Sequence, residues 1–144
     1  MKLKISFTLI VIIILYGCQN SSENKSKELN KKAYYESQMV ENDFVLKLNG
    51  ECDDALEDTL HKRSIAYIDS SFYDKSTAKI EFKFKDACCQ EFLGNYNIKK
   101  DTLIFEMEQV NDIVCSCICW YRYKLEINNI KEGFSEISIQ RKKE

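Results

Sequence analysis

The segment Ala78-Lys-Ile-Glu-Phe-Lys-Phe-Lys85 decides the fold class. Ala78, Ile80, Phe82 and Phe84 alternate with Lys79, Glu81, Lys83 and Lys85. In an extended chain successive side chains point to opposite sides, so period two gathers the apolar set on one sheet face and leaves the charges to water. Residues 114–127 repeat the pattern at greater length. Cys115, Cys117, Cys119, Tyr121, Tyr123, Leu125 and Ile127 share one phase, and Arg122, Lys124 and Glu126 share the other. A strand that long is unusual, and a bend or bulge is expected within it.

Further strand candidates are 43–48, 64–72, 94–98, 102–108 and 134–141. The spacers between them are short and polar, which suits antiparallel neighbours, because parallel strands need long crossovers. The segment 54–62 is the exception. Leu56 and Leu60 lie one turn apart, with acids early and His61, Lys62 and Arg63 late, a charge order that favours a short helix. About seven strands with one buried face predict an all-β domain, a small antiparallel barrel or sandwich with at most one short helix. Its core is expected on Ile80, Phe82, Phe84, Leu103, Phe105, Tyr121, Tyr123 and Leu125.

The chain has 144 residues, a length for one domain rather than two. Its 21 basic and 23 acidic residues nearly cancel, which removes the electrostatic case for nucleic-acid binding. One histidine cannot build a multi-His metal site, and the four glycines form no phosphate-cradling loop.

The N-terminal segment carries an address. Lys2 and Lys4 precede a largely apolar run from Ile5 to Leu15, followed by Tyr16, Gly17 and Cys18. The run fits a secretory h-region and is too short to span a bilayer as a helix. Leu15-Tyr16-Gly17-Cys18 resembles the lipobox of bacterial lipoprotein precursors. The resemblance covers this N-terminal segment only, and Tyr16 stands where the family favours a small residue. It implies cleavage before Cys18, acylation of Cys18 and attachment to the cell envelope. With Gln19 rather than Asp after the cysteine, it implies release to the outer membrane. Several acyl chains give stable anchoring where one is marginal.

Residues 1–17 therefore read as a signal peptide, 18–33 as a lipidated N-terminus and flexible tether, and 34–144 as the folded domain. The stretch 19–33 is rich in Asn, Ser, Lys and Glu, with Leu29 its only large apolar side chain. It buries too little to repay ordering and would reach roughly 20 Å as a coil. A short amphipathic helix over 25–35 is the competing reading. Loss of Lys2 and Lys4 with the signal takes the net charge from −2 to −4.

Removing the lipidated Cys18 from seven cysteines leaves six: Cys52, Cys88, Cys89, Cys115, Cys117 and Cys119. Exported domains meet an oxidising compartment, and an even number fits three disulfides with fifteen possible connectivities. Cys115, Cys117 and Cys119 stand about 6.5 Å apart along one strand face, too far to bond one another while extended. A bridge between the adjacent Cys88 and Cys89 would distort the peptide. If each of the triplet pairs with one of Cys52, Cys88 and Cys89, six connectivities remain. Strand phase points Cys88 and Cys89 to opposite faces, so both reach the triplet only if the backbone kinks near 87–90.

The competing chemistry is a thiolate cluster. Cys115, Cys117 and Cys119 beside Cys88 and Cys89 could hold Cu(I) or Zn(II), both of which accept sulfur ligands. The expectation is no cofactor, with copper or zinc as the alternative. His61 is the only histidine that could serve a catalytic cysteine as base, and a single coincidence among six cysteines is weak. The acids Glu51, Asp53, Asp54, Glu57 and Asp58 lack the turn glycine and alternation of a calcium loop. Trp120 lies in the phase opposite the core and is the candidate exposed binding aromatic. The resulting reading is a lipid-anchored, non-catalytic envelope module whose partners are the membrane and an unknown protein or small molecule. The alternative is a metal or redox sensor or carrier.

Overall fold

The computed structural model describes residues 24–50, 52–55, 58–113 and 115–142. Among these, eight strands follow one helix. The helix, α1, covers 24–41. The strands are β1 (Phe44–Leu48), β2 (Asp53–Asp54), β3 (Tyr67–Asp74), β4 (Thr77–Ala87), β5 (Phe92–Lys99), β6 (Thr102–Gln109), β7 (Ile118–Ile127) and β8 (Glu136–Arg141). One sheet has the order β1-β7-β4-β3, with β2 also on β7, and the other has the order β5-β6-β8. The two form an open sandwich rather than a closed barrel.

The two segments with the strongest alternation are neighbours at its centre. β4 pairs with β7 over ten residues, opposing Phe82 to Tyr123 and Phe84 to Tyr121. The facing rings stack, with Phe84 and Tyr121 centroids 5.4 Å apart and Phe82 and Tyr123 at 5.8 Å. All eight residues expected in the core are buried, and Phe44, Phe92, Met107 and Ile127 join them. From the second sheet, Gly94 faces Phe105 so closely that a Cβ there would lie 2.9 Å from the ring.

Several expectations are corrected. The strand expected over 114–127 starts only at Ile118, and the bend expected within that segment is present at 115–117. Not every pair is antiparallel, since β8 lies parallel to β6. Its reason is topological: β7 intervenes in the opposite sheet, and the chain reverses twice before β8 returns beside β6. No helix occupies the described part of 54–62. Asp53 and Asp54 instead pair with Trp120 and Cys119 on β7, and the Asp58 carboxylate accepts the N–H groups of Leu60 and His61. Leu60 is left exposed.

The first ten residues of the helix lie in what reads as tether, where a helix over 25–35 is the competing reading. Residues 24–33 are helical, so the coil expectation fails for them, while Cys18 and residues 19–23 fall outside the described residues. α1 docks through ion pairs and polar contacts. Lys31 meets Glu108 and Lys32 meets Glu91, each at 2.6 Å. The buried Tyr35 donates its hydroxyl to Glu108, and Asn95 donates to Gln38 at 2.9 Å. Met39 adds an apolar contact to the core. None of the helices among the described residues is long and apolar enough to cross a membrane.

Candidate functional site

The chain passes from one sheet to the other after β4 and returns before β7; Cys88 and Cys89 lie on the first crossing, Cys115 and Cys117 on the second, Cys119 at the start of β7 and Cys52 just before β2. The expected kink is present: β4 ends at Ala87, Cys88 and Cys89 form a turn, and Cys89 has φ +67°. That conformation is uncommon for a residue with a side chain and swings Cys89 away from the strand phase. Cys88 then faces Cys117, with Cα atoms 5.4 Å apart and the Cys88 N–H donating to the Cys117 carbonyl at 3.0 Å. Cys89 faces Cys115, with Cα atoms 6.3 Å apart.

Cys52 follows a turn at Gly50, where φ is +91°, and faces Cys119 with a Cα separation of 5.5 Å. All three separations suit a disulfide. Each cysteine of the triplet meets one of Cys52, Cys88 and Cys89, which is one of the six arrangements that strand geometry leaves open. The three pairs are gathered at one end of the sandwich.

Hydrogen bonds tie the same end. The Tyr121 hydroxyl donates to the Ala87 carbonyl at 2.8 Å and accepts the Gln90 N–H at 3.0 Å. Burial raises the pKa of this phenol, so it stays a donor. Asn111 donates to the Cys89 carbonyl at 2.9 Å while its side-chain oxygen accepts the Glu91 N–H.

Two buried charges escaped the sequence reading. Asp86 is 1% exposed and sits in a full set of donors. Arg63 reaches it at 2.8 Å, Ser64 at 3.0 Å and the Ala87 N–H at 2.8 Å, and Arg141 of β8 also donates. The group therefore clips β8 of one sheet to β4 of the other. Lys85 is expected in water by alternation but is buried, donating its ammonium to the Asp58 carbonyl oxygen. The only sequence signal was that Asp86 immediately follows Lys85 and breaks the two-residue rhythm.

Lys85 also lies over Trp120. That indole is half-buried rather than freely exposed. Lys83 and Lys85 place their ammoniums 5.7 and 5.8 Å from the ring centroid, and His61 stands edge-on at 5.1 Å. Tyr67 packs edge-on against His61 at 4.7 Å. The His61 Nδ1 lies 3.0 Å from the Asp58 carboxylate. Desolvation opposes ionisation of that carboxyl, but the N–H groups of His61 and Leu60 outweigh it and hold its pKa below the ordinary value.

The thiolate set proposed from sequence is regrouped. The Sγ atoms of Cys52, Cys88 and Cys119 lie within 4.8 Å of one another. Cys52 enters this group, while Cys89 and Cys115 form a pair of their own. No protein-family model matches the chain, and neither curated proteins nor solved structures yield a match.

Proposed function

We propose that the chain is a lipid-anchored protein of the bacterial cell envelope, attached through acyl groups on Cys18. Its disulfide-stapled β-sandwich then serves as a non-catalytic binding module for a protein or small-molecule partner. The observation that carries the reading is the meeting of six cysteines in three pairs, with Cα separations of 5.4 to 6.3 Å. Such a set persists as bridges only in an oxidising compartment, which agrees with an export signal ahead of Cys18. With Gln19 after the anchor, the outer membrane is the proposed site.

The test is intact mass and thiol titration of the processed protein purified without reductant. Three bridges leave no free thiol in the folded domain and lower its mass by about 6 Da, two hydrogens per bridge. Cys18→Ser should abolish acylation and membrane association. Several free thiols, or a Cys18→Ser protein that stays in the membrane fraction, would count against the reading.

A second reading rests on the Cys52, Cys88 and Cys119 cluster. Reduced, three thiolates so close would suit a soft ion such as Cu(I), or Zn(II) with a fourth ligand. Copper or zinc that co-purifies with free thiols would favour it.

A further inference from the structure

We infer that the cysteine end of the sandwich rests against the phospholipid headgroups and that the opposite end, which carries a polar cleft, points away from the membrane. This rests on the anchoring at Cys18 proposed above and adds a direction to it.

The direction comes from how α1 is docked. Its early residue Glu28 accepts the backbone N–H of Asp112 at 2.7 Å, on the connection that leads to Cys115. Lys32 pairs with Glu91, two residues after Cys89. Further along, Gln38 meets Asn95, and Asn42 accepts the Tyr96 hydroxyl at 3.2 Å. The helix therefore starts at the cysteine end and runs to the far end, about 27 Å over eighteen residues. Cys18 precedes residue 24 by six residues, which span about 20 Å at full stretch. A sandwich whose central strand is about 33 Å long cannot turn its far end to the lipid on so short a lead without undocking α1.

The surface presented at the near end fits that contact. Leu29 and Ile113 are 61% and 49% exposed and line one shallow cleft with Lys25. Two apolar side chains beside a cation suit a headgroup boundary. The far end carries a cleft of about 530 Å³ lined by Asp43, Tyr96, Asn128, Asn129 and Glu132. Oriented this way, that cleft is open to a partner in the aqueous space.

The experiment uses the acylated full chain in vesicles of phosphatidylethanolamine and phosphatidylglycerol that contain a headgroup-labelled nitroxide lipid. Flotation reports anchoring. In a Trp120→Phe background, Ile113→Trp at the near end should be quenched at least threefold more than Lys131→Trp at the far end. Twenty Gly/Ser residues inserted after residue 22 should bring the two close to equal. Hydrogen exchange of the unmodified protein gives a variant-free check, with slower exchange over 110–113 on vesicles than in detergent and no change over 128–133. Equal or reversed quenching in protein that floats, or a difference that survives the spacer, overturns the orientation and leaves the anchor standing. Protein that does not float overturns the anchor and the orientation together.

Discussion

Asp86 shows what one residue can hold. A buried carboxylate is tolerable only when its lone pairs are filled, and two guanidiniums, a hydroxyl and a backbone N–H fill them here. Asp86→Asn leaves Arg63 and Arg141 facing a neutral amide, and the expected loss is about 3 kcal/mol by urea denaturation. The exposed pair between Arg122 and Asp53 is the contrast. Arg122→Ala should cost under about 1 kcal/mol in the same assay, since exposed pairs gain little over hydrated ions. Gly94 is tight for a different reason, because a methyl would meet both the Phe105 ring and the backbone of Glu106. Gly94→Ala should cost about 1–3 kcal/mol, read as a lower melting temperature. None of these three roles was visible in the sequence. Alternation predicts which face a residue occupies, but not that Lys85 and Asp86 would be covered by a loop and a strand from elsewhere in the chain.

At the scale of elements, legibility followed the source of the stabilisation. β4 as far as Phe84, β6 and β7 bury a regular apolar set and are readable residue by residue. The first ten residues of α1 read as tether, with a helix over 25–35 only as the alternative, because the docking positions Glu28, Lys31, Tyr35 and Gln38 are spaced for a helix but are mostly polar, so hydropathy shows no stripe. β2 is two residues long and exists because Cys119 and Trp120 of β7 offer an edge beside it. The polar docking of α1 makes it pH-dependent. Burial opposes ionisation of Glu108, yet Lys31, Tyr35 and Lys142 outweigh that and hold its pKa at about 2, below the ordinary 4.5. A lowered carboxyl pKa stabilises fully above the unfolded value and is lost as pH falls through the folded one. Amide protection in α1 should therefore be constant above about pH 5 and decline towards pH 2. Glu108→Gln should remove most of that dependence, measured by hydrogen exchange.

For the whole molecule, the pairing pattern predicts unequal worth for the three bridges. The Cys52 and Cys119 pair closes 67 residues, while Cys88 with Cys117 and Cys89 with Cys115 close 29 and 26. Loop entropy alone would assign about 4 kcal/mol to the first and about 3.5 kcal/mol to each of the others. The last two are nested, however: the segment 89–115 lies wholly inside 88–117. With either bridge intact, the other restricts an unfolded loop of only a few residues, because the long segment is already closed. Cys89→Ser with Cys115→Ser should therefore cost well under 3.5 kcal/mol, and so should Cys88→Ser with Cys117→Ser. Removing all four sulfurs should cost more than the sum of the two losses, since only then is the long loop free. The Cys52 and Cys119 bridge encloses both of these loops, but the inner bridges shorten the segment it closes only to about 40 residues, so Cys52→Ser with Cys119→Ser should show the largest loss of any single pair. Equilibrium denaturation of the three double variants and the quadruple variant measures these terms. Additive losses across the nested pairs would mean that the bridges act through native contacts, and not by closing the unfolded chain.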